Sequence, residues 1–155
     1  MMQVSTKVLV CGLSILPGAH HGLKRGIRMT LLGDSIAVGT HQYRAECAVY
    51  ASSGITSHAW LHRYANADLT AKTVVISLGS NDSEQGSRQD LEMIRNRVQA
   101  DTVFWIVPAI KPYVQEIVKS VASEHHDRII YIPVISSDGV HPNAKGYKMI
   151  AEQIR

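Results

Sequence analysis

The chain is poor in the residues that staple or anchor a protein. Only two cysteines, Cys11 and Cys47, occur in 155 residues, too few for a disulfide framework and without the spacing of a metal site. No constellation of ligating side chains appears elsewhere, so no metal and no other cofactor is expected. The longest apolar stretches fall short of the roughly 18 residues that suggest a membrane span. Lysine and arginine number 16 against 13 aspartates and glutamates, a formal charge of +3. No basic run with interleaved aromatics accompanies that tilt, which argues against a nucleic-acid partner. The glycine spacings of a dinucleotide site or a phosphate-binding loop are missing as well. There are no internal repeats, linkers or low-complexity segments.

What is present fits one ordinary globular domain: 45% hydrophobic residues, 19% charged, and length for a single core. Apolar runs alternate with helical periodicity. Residues 29–32, 46–50, 74–78, 102–107 and 129–132 read as strands. Between them lie helical patterns: Ile36, Ala37 and Val38; Trp60, Leu61 and Tyr64 behind a Ser57 cap; Leu91, Ile94 and Val98 behind a capping box from Ser87 to Asp90. Pro112 opens a helix striped by Val114, Ile117, Val118 and Val121, and Tyr147, Ile150, Ala151 and Ile154 line the last one. The alternation predicts a three-layer α/β/α sandwich around a parallel five-stranded sheet. Trp60 and Trp105 are expected in the core, and His20-His21 and His125-His126 in solvent.

Four polar motifs follow four of the apolar runs: Gly33-Asp34-Ser35, Ser53-Gly54, Gly79-Ser80-Asn81-Asp82 and Asp138-Gly139-Val140-His141. In an open parallel sheet, ligands bind in the crevice outside the carboxyl ends of the strands, so these loops should meet. Ser35 is a candidate nucleophile but needs a base, because a free hydroxyl reacts weakly at neutral pH. His141 is the candidate base, and Asp138, three residues upstream, can orient its imidazole and stabilise the imidazolium. The Asn81 amide and the N–H groups of Gly54 and Ser35 are candidate donors to an oxyanion. Asp34 and Asp82 are read as groups that hold their loops by hydrogen bonds. Glu84 and Gln85 either rim the site or face water.

In order and spacing, these blocks resemble those of the SGNH hydrolases, the GDSL esterase/lipase family, over a span from about Met29 to the C-terminus. The resemblance implies a flavodoxin-like SGNH hydrolase fold, with Ser35 as nucleophile, His141 as base and Asp138 as its orienting acid. It also implies an oxyanion hole from the Ser35 N–H, the Gly54 N–H and Asn81. The first block reads Gly-Asp-Ser-Ile where the family's eponymous motif has leucine, an apolar exchange that leaves the chemistry untouched.

The expected organisation is an arm or signal-like segment over residues 1–28 and a hydrolase domain over 29–155. Residues 8–16 are apolar behind Lys7, but Pro17 spoils the cleavage pattern, so the cytoplasm is favoured over secretion. The expected substrates are small carboxylic esters, short-chain or acetyl, on carbohydrate or a similar small molecule. The rival expectation is a non-catalytic glycan-binding or structural module that keeps the hydrolase shape. Nothing in the pattern specifies an oligomer.

Overall fold

The computed structural model describes residues 27–133 and 135–155. Strands and helices alternate: β1 (Met29–Gly33), α1 (Ser35–His41), β2 (Ala48–Ala51), α2 (Ser57–Arg63), β3 (Thr70–Ser77), α3 (Ser87–Arg97), β4 (Gln99–Ile106), α4 (Pro112–Glu124), β5 (Arg128–Ile130) and α5 (Ala144–Gln153). The strands form one sheet in the order β2-β1-β3-β4-β5, and every pairing is parallel. This is the flavodoxin-like order. Its direction reverses between β1 and β3, which opens a crevice at their carboxyl ends.

Successive strand residues face opposite sides, so each strand feeds two cores. Leu32, Val74, Ile76, Val103 and Trp105 pack with Trp60, Leu91, Ile94, Val114, Val118 and Val121 of α2, α3 and α4. Leu31, Val75, Phe104 and Ile106 pack with Ile36 of α1, Ile150 of α5 and Ile154 just past its end. A sheet covered on both faces explains why the carboxyl halves of β3 and β4 are continuously buried and mostly apolar. Both tryptophans are fully buried and keep their indole N–H satisfied, Trp60 by the Tyr50 carbonyl and Trp105 by Asp127. Asp127 also takes a bidentate bond from Arg95 at 2.6 and 2.9 Å, clamping α3 to the turn before β5.

Local caps depart from the expected ones. Thr56, not Ser57, caps α2, its hydroxyl accepting from the Ala59 N–H at 3.1 Å. The capping box at Ser87 does not form: Gly86 holds the N-cap position with φ 85 and no side-chain bond. Ser57 and Ser87 are instead spent on a shared acceptor in the site below. The expected arm over residues 1–28 lies, apart from its last two residues, outside the described residues, as does Cys11. Ile27 and Arg28 already pair with β3, their carbonyls accepting from Lys72 and Thr73 at 2.9 and 3.0 Å.

Candidate active site

Four strand exits supply the site. At the first, Asp34 caps α1, accepting the Ile36 N–H at 3.0 Å, and sets Ser35 at the first helical position. Gly33 is required there: its φ is 148, and a Cβ would lie 1.9 Å from the Ser77 carbonyl oxygen of the neighbouring strand. That close approach lets the Asp34 N–H bond the same carbonyl at 2.9 Å, locking the turn to β3. Asp34 is fully buried. Burial pushes its carboxyl up to about 6, against the pull of the Ile36 N–H, with nearby Asp82 adding to the rise. Its second oxygen has no partner among the described residues.

The Ser35 hydroxyl lies 2.8 Å from His141 Nε2, and His141 Nδ1 lies 2.6 Å from Asp138 Oδ2. The sequence separation of 106 between Ser35 and His141 is closed by the sheet. Asp138 is held well below the usual carboxylate range, first by the backbone N–H of His141, then by that of Val140, the imidazole and the Ser136 hydroxyl. Its Oδ1 receives those two N–H groups at 2.9 and 2.8 Å and Ser136 at 2.8 Å. An ionised carboxylate only accepts, so Nδ1 carries the imidazole proton and Nε2 turns its lone pair to the serine hydroxyl. The loop is stiffened by a bridge between Ile135 and Pro142 and a bond from the Ser136 N–H to the His141 carbonyl at 2.8 Å. Asn143 then caps α5. Half-exposed side chains, 40% for His141 and 50% for Asp138, leave this edge of the site open to solvent.

Gly54 and Asn81 come from the exits of β2 and β3, on either side of β1 in the sheet. Gly54 has φ 78 and open space where a side chain would be, so its backbone is accessible. Asn81 is exposed, and its amide donates to the Ile55 carbonyl at 3.1 Å, which ties the Gly54 and Asn81 loops together. Next to it, buried Asp82 gathers the Ser57 N–H at 2.8 Å, the Ser57 hydroxyl at 2.6 Å and the Ser87 hydroxyl at 2.8 Å. One carboxylate thus fixes the starts of α2 and α3. Its backbone carbonyl takes the Lys111 ammonium at 2.7 Å, and Lys111 holds a positive φ of 64.

The structure therefore brings together Ser35, Asp138 and His141 in one hydrogen-bonded chain, and joins the Gly54 and Asn81 loops beside it. Asp34 and Asp82 hold their loops as expected from the sequence. Ser136, Lys111 and the cap Asn143 were not singled out by motif. Asn143 had a readable signal, an Asn ahead of an apolar helical stripe, whereas Lys111 and Ser136 act through tertiary contacts that no local pattern announces. Among the described residues no group of three or more ligating side chains could hold a metal ion, and no helix is long and apolar enough to cross a membrane.

No protein-family model matches the chain, and no curated protein sequence matches it. Solved structures do. It is similar to a protein from Bacteroides fragilis described as an acylhydrolase, with 20% identity and a TM-score of 0.60 over 81% of this chain and 83% of that one. A GDSL-like lipase from Bacteroides uniformis is 13% identical, with a TM-score of 0.61 over 81% and 92% of the two chains. The catalytic domain of peptidoglycan O-acetyltransferase A from Streptococcus pneumoniae is 17% identical, with a TM-score of 0.52 over 81% and 88%. With its parallel five-stranded sheet between two helical layers, the chain has the fold of these GDSL-like lipases and acylhydrolases, the SGNH hydrolase fold.

Proposed function

We propose that this protein is a serine esterase that hydrolyses short-chain or acetyl esters, on carbohydrate or a similar small alcohol, through an acyl-serine intermediate. The observation that carries the reading is the Ser35–His141–Asp138 chain, with bonds of 2.8 and 2.6 Å, at the carboxyl end of the sheet. Ser35 Oγ attacks the ester carbonyl carbon as His141 Nε2 takes its proton. Asp138, already bonded to Nδ1, stabilises the imidazolium. The resulting oxyanion is met by the N–H groups of Ser35 and Gly54 and by the second amide hydrogen of Asn81. Collapse breaks the bond to the alcohol, which leaves with the proton from His141. Water, activated by the same imidazole, then attacks the acyl-serine, and Ser35 is restored.

The preference for short acyl groups rests on the loops. The β1 exit is the single residue Asp34, and Gly54, Asn81 and Asp138 are exposed, which gives a shallow site suited to a small acyl group on a larger alcohol. Likeness to a peptidoglycan O-acetyltransferase catalytic domain agrees with an acetyl group on carbohydrate. The test is a series of p-nitrophenyl esters from acetyl to octanoyl, together with acetylated glycans, with Ser35→Ala as control. Turnover that falls with chain length and vanishes in the variant is expected. No hydrolysis of any ester would favour a non-catalytic module on the same fold.

A further inference from the structure

Outside the Ser35 site, the groove between α2 and α3 carries a second cluster of chemically capable side chains. It is an open groove of about 820 Å³, lined by His58, His62, Gln85, Gln89, Asp90 and Met93 among others. His58 and His62 are four residues apart on α2 and so stand on one helical face. Their Nε2 atoms approach to 3.3 Å, with the rings tilted at 69°. Two imidazole nitrogens bound to one tetrahedral zinc, each about 2.0–2.1 Å from it, lie about 3.3 Å apart. Behind them, His58 Nδ1 lies 3.3 Å from Asp90 Oδ1. A carboxylate on the far nitrogen is the partner that orients a ligating histidine and raises its basicity.

We infer that His58 and His62 form a two-histidine site for a divalent transition metal of the zinc class, with Asp90 as the positioning residue of His58. In the metal-free protein, Asp90 holds the Nδ1–H tautomer of His58, so His62 donates the single proton between the two Nε2 atoms. On binding, His62 moves that proton to Nδ1 through solvent, and both Nε2 lone pairs turn to the metal. The remaining coordination positions are left to water or to an oxygen ligand. Leu61, Ala65 and Met93 give the groove apolar walls, while His58 itself stands 71% exposed to solvent. The site shares no residue with the Ser35 machinery.

The experiment is calorimetric titration of the full chain with zinc chloride near neutral pH, alongside His58→Gln, His62→Gln, the double variant and Asp90→Asn. Circular dichroism confirms the fold of each variant; His58 is 71% exposed and tolerates the change. Expected is one zinc per chain that is lost in the double variant, at least about tenfold weaker in either single variant, and about tenfold weaker in Asp90→Asn, the usual cost of losing such a partner. Histidine ring resonances of His58 and His62 should shift together on zinc addition. Zinc binding that persists in the double variant, no saturable binding in the parent, or an affinity indifferent to Asp90→Asn would each overturn the assignment. Because the readout is binding, the result does not depend on whether Ser35 is the nucleophile.

Discussion

Asp34→Asn should make the protein more stable as pH rises, relative to the parent. The folded carboxyl is held at about 6 against an ordinary 3.8 by burial. The folded state therefore binds this proton more tightly than the unfolded chain, and its contribution to stability falls as pH climbs from about 4 to about 6 and stays flat beyond. The full difference corresponds to about 3 kcal/mol, of which about 2 kcal/mol accrues between pH of about 4.5 and 7.5. Asparagine keeps the oxygen that accepts the Ile36 N–H at 3.0 Å and removes the charge. Its amide nitrogen falls where the second oxygen has no partner, which costs about 1–3 kcal/mol at every pH. The informative quantity is thus the slope of the difference, in which the other titrating groups cancel. Urea unfolding of both proteins at the two pH values measures it. A stability difference that stays constant, or that favours the parent as pH rises, would refute the buried-charge argument.

Three further predictions concern function and fold. His141→Ala should cost nearly as much activity as losing Ser35, while Asp138→Ala should be milder, because loop groups or water still orient the imidazole; steady-state kinetics on p-nitrophenyl acetate compares them. Asn81→Ala should lower kcat by about 10² to 10³ with little change in KM, and a raised KM at unchanged kcat would move Asn81 from the oxyanion to substrate binding. Asp127→Ala should destabilise by about 3 kcal/mol or more in urea unfolding, since it strands Arg95 and the Trp105 indole N–H.

Strand runs, helix stripes and the four polar blocks were legible because each is a local signal. Val114, Val118 and Val121 repeat at helical spacing and are buried, and the strands read as continuous apolar runs because both sheet faces are covered. The candidate site was legible for a related reason: each block sits at a strand exit, and a parallel sheet has one end at which all its exits meet. The misread details share a cause. Ser57 and Ser87 look like helix caps in sequence, but both hydroxyls are taken by Asp82, up to 25 residues away. Thr56 and Gly86 hold the cap positions instead. The orienting bond from Ser136 to Asp138 and the Lys111 contact under the Asn81 loop likewise depend on turns whose closure no spacing rule encodes. His58 and His62 carry a readable i,i+4 spacing, yet their relation to Asp90 crosses from α2 to α3 and exists only once those helices pack.

The most direct test of the central claim is active-site labelling. The parent protein, treated with a serine-reactive fluorophosphonate and digested, should carry one adduct by mass spectrometry, on Ser35. Labelling should fall sharply in His141→Ala, because the hydroxyl 2.8 Å from Nε2 loses its base. Adduct on another serine, or undiminished ester turnover in Ser35→Ala, would contradict the account.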